Sequence, residues 1–566
     1  MRIKTGLLSV IFFVSALTGL AQPDSNYFQQ QVDYTISVKL NDANHTIKGY
    51  ETIRYKNNSP HKLKYILFHL WPNAYKNNET DLAKQFLENG DIDFYYAPPA
   101  DKGFIDSLLF KVGDDTLKWE FYKEEIKDKN GDVVNGKDGK PKKKQYVDIA
   151  KVFLPKGVEP DSSITITTPF FVKIPSGLFS RLGHIGQSYQ ITQWYPKPAV
   201  YDRNGWNPMP YLNQGEFYSE WGNFDVTITI PQNYVVAATG ELSGCPQEER
   251  MLELKAKETE QLFKEGRTDK LGNLLGGDAF PASSAEWKTL HYVQKNVHDF
   301  AWFADKRWHV LKGEYVFEKS GKLVSLWTYF TNTNSRYWKK SIQYLNDACH
   351  YYSKWNGDYP YSILQAVDGT ISAGGGMEYP TITNIGNVGS DISLETVIMH
   401  EVGHNWFYGI LASNEREHPW MDEGINSANE MRYMRTKYPE LTLANEIGFA
   451  GLEKISGLDT LKQRMQYYLT YKLAATNNTD QPIEGKSQDF TSANYGFIVY
   501  QKTAACFNYL RAYLGDELYD KCMQDYFKAW KFKHPQPKDL RKIFEKGTKK
   551  DLSWFFDDLI GTNKII

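Results

Sequence analysis

The period of the hydrophobic positions changes once along this chain. From Tyr27 to about Val310 it is two: Val32, Tyr34, Ile36, Val38 and Leu40 alternate with polar residues, Asn41-Asp42-Ala43-Asn44 supplies a turn, and Thr46 to Tyr55 resumes an extended pattern. Phe224, Val226, Ile228 and Ile230 alternate again before Pro231, and Tyr234 to Ala237 reads as a further strand. Successive strand side chains point to opposite faces, so this half is expected to be a large antiparallel sheet domain with one buried face. Two stretches interrupt the pattern. Lys127 to Lys144 is rich in lysine and glycine and has little to bury, so it is expected to project as a hairpin or loop, and Glu248 to Glu265 carries the charges of a solvated helix.

Beyond about Gly313 the spacing becomes three and four. Trp338, Ile342, Leu345, Cys349 and Tyr352 trace an amphipathic helix ahead of Gly357, and Leu394 to Met399 begin another behind the capping candidates Asp391 and Ser393. Phe507, Leu510 and Leu514 run into the helix stop Gly515; Tyr519, Met523, Tyr526 and Trp530 mark the next helix; Lys538 to Lys546 and Asp551 to Leu559 close the chain. Gly369 to Glu378 is glycine-rich, which suits a backbone that approaches a ligand closely or forms an edge beside a cleft. The expected division is residues 22–312 for the sheet domain and 313–566 for the mainly helical one.

Residues 1–21 read as a targeting segment. Arg2 and Lys4 form the charged start, Leu7 to Leu20 an apolar run broken by Ser9, Ser15, Thr18 and Gly19, and Gly19-Leu20-Ala21 a cleavage site before Gln22. No cysteine follows the run, so no lipoprotein anchor is indicated, and no later segment is apolar enough to cross a bilayer. The expectation is an exported protein, periplasmic or secreted, with no stable membrane insertion once the signal peptide is removed. Formal net charge is -2, which leaves no nucleic-acid footprint. Four cysteines are too few to frame 566 residues; Cys506 and Cys522 could pair across successive helices, or remain free and buried.

The chemistry concentrates at His400-Glu401-Val402-Gly403-His404. Residues four apart on a helix lie one above the other, so His400 and His404 can direct two imidazoles at one ion. A catalytic zinc site needs a third protein ligand and an open position, and Glu423, at the start of a second helical pattern with Met431 and Met434, supplies a carboxylate. Glu401 is not needed as a ligand and can take a proton from the attacking water.

His400 to Glu423, an H-E-x-x-H motif followed by eighteen residues and a glutamate, resembles the gluzincin metallopeptidases of the aminopeptidase N family. Gly375-Gly376-Met377-Glu378-Tyr379 is similar to that family's Gly-x-Met-Glu-Asn motif, with Tyr379 in place of Asn, and Tyr500-Gln501-Lys502 matches its Tyr-x-Lys helix start. The resemblance implies a saddle-like N-terminal β-sheet domain followed by a thermolysin-like, mainly helical catalytic domain. Many larger family members continue into a long helical domain that roofs the active site; this sequence departs from them by stopping at Ile566, so no C-terminal helical repeat domain and a more open cleft are expected. One zinc ion per chain would be held by His400, His404 and Glu423, with Glu401 as base and Tyr500 as donor to the oxyanion; Tyr495 is a second candidate for that position. Gly375, Gly376 and Met377 would belong to an edge strand that binds the substrate main chain, and Glu378 would bind its free amino group. Thr192-Gln193 resembles a pair that contributes to that group, so Gln193 is a further candidate contact, although Tyr195 stands where the family has Glu or Gln. The implied activity is removal of N-terminal residues from peptides. A zinc endopeptidase and an epoxide-type hydrolase use the same scaffold, whereas a non-catalytic binding homologue would have lost a ligand or the base, and all four residues are present.

Overall fold

The computed structural model describes residues 27–128, 131–369, 375–444 and 459–563. The leader at 1–21 and positions 370–374 of the glycine-rich stretch therefore lie outside the described residues. Strand Gln31–Asn41 buries Val32, Tyr34, Ile36, Val38 and Leu40 and exposes Thr35, Ser37 and Lys39, as its alternation requires. It pairs along its whole length with Thr46–Lys56. Asn41 closes the hairpin by accepting the amides of Ala43 and Asn44 on Oδ1. Thr46–Lys56 then pairs with Ser163–Lys173, and these strands belong to a nine-stranded sheet.

One pairing departs from the antiparallel expectation. Gln31–Asn41 and Gly222–Pro231 run parallel, with Tyr34 opposite Phe224 and Val38 opposite Ile228. The two backbones meet so closely that a Cβ on Gly222 would stand 1.6 Å from the Val32 carbonyl oxygen, which only glycine avoids. The rest of this sheet is antiparallel.

The sheet core contains a carboxyl it does not satisfy. Glu51 is fully buried opposite Ile36, and neither carboxyl oxygen has a hydrogen-bond partner among the described residues. Burial raises its pKa well above the ordinary value, so it stays protonated. Glu51→Met is expected to stabilise the fold at neutral pH by about 1–4 kcal/mol, because it replaces an unpaired acid with an apolar chain of similar length. The native carboxyl keeps its proton above the unfolded value of about 4.3, so wild-type stability falls as pH rises beyond that value. The advantage of the variant should grow over the same range and shrink below about pH 4. Urea unfolding at several pH values reads it directly, and an equal or lower midpoint for the variant at neutral pH contradicts it.

The second half is built on a five-stranded sheet. Its order is His309–Val316, Leu323–Phe330, Ile363–Asp368, Ile382–Ile385 and, outermost, Gly376–Tyr379. Helix Ser341–Trp355 packs on this sheet through Leu345, Ala348, Cys349 and Tyr352, and the helix Asp391–Gly403 lies against both. Charged helix Pro246–Lys264 is less solvated than its composition suggests: Leu252, Ala256 and Thr259 form a buried face, and Glu248 pairs with Lys288 at 2.6 Å. One contiguous core runs from Val32 to Ile560 and joins the two halves. Cys506 and Cys522 do not pair. Both thiols are free and buried, and Cys522 faces Gly547, where a Cβ would stand 2.9 Å from its Sγ. Among the described residues no helix is long and apolar enough to cross a membrane.

Candidate active site

Three helical elements bring the site together. Helix Asp391–Gly403 starts at Ser390, whose hydroxyl accepts the Ser393 amide; the cap is thus one residue before the expected Asp391. The helix buries Leu394, Ile398, Met399 and Val402, and Gly403 lets it close on its neighbours, since a Cβ there would stand about 2 Å from both Tyr352 and Asn426. Helix Glu423–Lys437 opens with Glu423. Gly424 carries it against Thr503, 2.3 Å from where a Cβ would be.

Nε2 of His400 and Nε2 of His404 stand 3.1 Å apart, and each is 3.2 Å from Glu423 Oε2. Both Nδ1 atoms are engaged, His400 with Glu430 at 2.8 Å and His404 with Asp422 at 2.5 Å. A carboxylate on Nδ1 fixes the proton there, so neutral imidazoles turn two lone pairs and one carboxylate oxygen toward a common point. Three acceptors without a donor suit a cation. Tetrahedral ligands about 2.0–2.1 Å from an ion lie about 3.3 Å from one another, close to the separations found. Burial opposes charge on His400, yet the Glu423 and Glu430 carboxylates outweigh it, so the field at this point favours positive charge.

Glu401, between the two histidines, is buried, and burial, partly offset by His400 and His404, raises its pKa to about 7. The outermost strand passes directly over it. A Cβ on Gly376 would stand 2.5 Å from the Glu401 carboxyl, so glycine here is what lets the strand edge and the base share one space. Gly375 sits at the rim near Val397, and Met377 turns away into the core, where its sulfur accepts Arg181 Nε at 3.1 Å. Glu378 returns to the cleft. It is buried with Oε1 unpartnered among the described residues, and burial together with Glu216, Asp422 and Glu423, against the pull of His404, raises its pKa well above normal.

Tyr500 lies in the π-helical segment Tyr495–Lys502, a widened turn of the kind found at functional sites. Its hydroxyl donates to Glu423 Oε1 at 2.5 Å and its ring stacks on His400, centroids 5.9 Å apart. Burial, with Glu423 adding to it, keeps the phenol protonated as a donor. Tyr495 meets Tyr500 edge-on at 5.7 Å, with its own hydroxyl unpartnered among the described residues. Gln193 is buried: its Oε1 accepts the hydroxyl of Tyr379, the residue after Glu378, at 3.2 Å, and its Nε2 has no partner among the described residues. Tyr195 is turned into the core, where it donates to Asp299.

Four further groups, not singled out from the sequence, complete the site. Glu216 comes from the irregular loop after Gly215; Oε1 pairs with Arg181 at 2.5 Å while Oε2 is buried and unpartnered among the described residues, and its charge is felt by Glu378, Glu401 and Tyr500. Arg416 donates to the Glu216 carbonyl at 2.7 Å. Asp422 and Glu430 orient the two histidines. Of these, Glu430 was within reach of the sequence, since seven residues after Glu423 is two helical turns on the same face.

Behind Asp422 stands Glu415. Asp422 Oδ2 and Glu415 Oε1 are both buried with no hydrogen-bond partner among the described residues, and two interacting buried carboxyls do not both ionise, so one of them keeps a proton. Burial, with Asp422 adding to it, pushes Glu415 well up, so Glu415 carries that proton and Asp422 the charge that faces His404. Glu415→Gln, which keeps a donor toward Asp422, should leave divalent-metal affinity within about threefold of wild type, whereas Glu415→Leu should weaken it by about 10–100-fold. Competition against a metal chelator measures both, and equal losses in the two variants would contradict this assignment.

Residues 350–559 match the Peptidase family M1 domain. Aminopeptidase B of Rattus norvegicus is 27% identical over 174 residues, which is 30% of this chain and 25% of that enzyme; the chain thus spans about a quarter of this relative's length. The fold is similar to that of an M1 zinc metallopeptidase from Deinococcus radiodurans, with TM-score 0.59 and 11% identity over 96% of this chain and 95% of that one. It is also similar to Legionella pneumophila aminopeptidase A in complex with aspartic acid, with TM-score 0.57 and 12% identity over 96% of this chain and 50% of that one.

Proposed function

We propose that this chain, whose residues 350–559 belong to peptidase family M1, is a zinc-dependent aminopeptidase that removes N-terminal residues from peptides. The observation that carries the reading is the convergence of His400 Nε2, His404 Nε2 and Glu423 Oε2 beside a buried carboxyl, Glu401, that is not one of the three. His400, His404 and Glu423 would hold one zinc ion. When bound, zinc lowers the pKa of water toward about 7 and polarises a carbonyl.

The remaining work falls to the chain. Glu401 takes the proton of the attacking water and returns it to the leaving amine, so the carboxyl must be ionised at the start of each turnover. Tyr500 is a buried, protonated phenol, and it donates to the oxygen on which charge develops. The outermost strand, Gly376–Tyr379, offers its free edge to the substrate main chain in the manner of an added strand. Glu378 Oε1 and Glu216 Oε2 are two buried carboxyl oxygens without donors among the described residues, and an α-ammonium supplies three. A buried cation needs such partners, and a substrate with a free amino terminus is therefore favoured over a blocked one.

The reading extends to location. The charged start, apolar run and small-residue cleavage site of residues 1–21 support export to the periplasm or medium, and the mature protein is expected to begin at Gln22 on N-terminal sequencing. The metal requirement is tested by chelation. Activity should be lost on removal of the metal and return with one equivalent of zinc; activity that survives complete removal would overturn the reading.

A further inference from the structure

Across helix Glu423–Lys437 from the metal cluster lies a second, separate concavity. Arg432 is nine residues from Glu423, half a turn out of phase with it, and therefore projects from the opposite side of the helix. There it lines a pocket of about 520 Å³ with Lys354, Arg435, Arg511, Asp516 and Asp520, between four helices of the catalytic half. Four cationic side chains face two carboxylates.

The pairing inside the pocket is uneven. Arg432 is fully used: it holds Asp520 with both Nη atoms, at 2.5 and 2.9 Å, and lies over the ring of Trp355. Arg511 is not. It is 9% exposed, yet among the described residues its one side-chain hydrogen bond is from Nη2 to Asn508 at 3.0 Å, and its ion-pair partner there, Asp516, is 3.6 Å from Nε with a side chain 69% exposed. Burial and the positive charges of Arg432 and Arg435 depress its pKa, the direction expected when guanidinium groups crowd together without enough counter-charge. Lys354 and Arg435 stand exposed at the mouth with no ion-pair partner among the described residues. The pocket also meets the start of helix Asp516–Trp530, whose cap, Gly515, brings no side chain to accept the first amides.

We propose that this pocket binds a phosphate- or sulfate-class oxyanion, either free or carried on a small molecule. The planar donor fork of Arg511 is complementary to two oxygens of such a group, and Arg435 and Lys354 supply the outer charge. Occupation would tie helices Ser341–Trp355, Glu423–Lys437, Thr503–Leu514 and Asp516–Trp530 together at the back of the metal cluster.

The test is calorimetric titration of the zinc-loaded protein with inorganic phosphate, at ionic strength held constant with chloride. Wild type should bind saturably, and the double variant Lys354→Gln/Arg435→Gln, both changes being on the surface, should bind about tenfold more weakly or worse. Arg511→Gln should lose binding as well; if it fails to fold, the surface variant decides alone. No saturable binding beyond chloride overturns the proposal, as does unchanged affinity in the double variant, which would place the phosphate at the metal centre instead. Phenyl phosphate then separates the two sources: tighter binding than inorganic phosphate points to a group carried on a small molecule, and weaker binding to the free ion.

Discussion

Glu401→Gln is expected to lower kcat by about 10²–10⁴-fold while the protein retains its zinc. Glutamine keeps the shape beneath Gly376 but cannot take a proton, and none of the three converging ligand atoms belongs to residue 401. The sign of the pH dependence follows from the same carboxyl. Burial raises its pKa, with the two histidines opposing, so the protonated, inactive form persists to higher pH than for an ordinary glutamate. Activity should therefore rise with pH as Glu401 ionises, and the residual activity of the glutamine variant should lack that limb. Steady-state kinetics with metal analysis of the same sample decide the matter. A variant that loses zinc, or that retains more than about a tenth of wild-type kcat, would remove Glu401 from the role of base.

Tyr500→Phe carries the second large effect. Loss of one donor to a developing oxyanion typically costs about 10²–10³-fold in kcat, with KM little changed. The hydroxyl also donates to Glu423 Oε1, so the change removes a bond to a metal ligand and zinc affinity must be measured alongside. A fall in kcat at full zinc occupancy places the phenol on the reacting oxygen. A fall that disappears when zinc is added in excess would confine Tyr500 to holding Glu423.

The parts of the site that are local in sequence were legible, and those that depend on distant backbone were not. His400 and His404 share a face by helical geometry alone, and Glu423 opens the next helix. Glu378 sits on the outermost strand, as the glycine-rich approach and the family resemblance implied. Glu216 and Arg416 come from stretches without a period, and their role appears only when Arg181, Glu378 and the metal helices are in place. The bond that Gln193 accepts from Tyr379 joins residues far apart in the chain and could not be read from either stretch alone. Alternation identified the strands around Tyr34 and Phe224 but could not give their relative direction, because a period of two looks the same for parallel and antiparallel neighbours. The π-helical turn under Tyr500 was not legible either: Tyr495 to Tyr500 is glycine, aromatic and β-branched, residues of modest helix propensity that carry no signature of a widened turn.

One measurement addresses the central claim most directly: hydrolysis of a single peptide series with free and with acetylated amino termini, by the same zinc-loaded preparation. The expected result is zinc-dependent cleavage of the free peptides one residue at a time and no cleavage of the acetylated ones, because Glu378 and Glu216 require an ammonium group to satisfy them. Equal cleavage of both forms would contradict it and indicate an endopeptidase, and no cleavage of either with zinc bound would point to a substrate that is not a peptide.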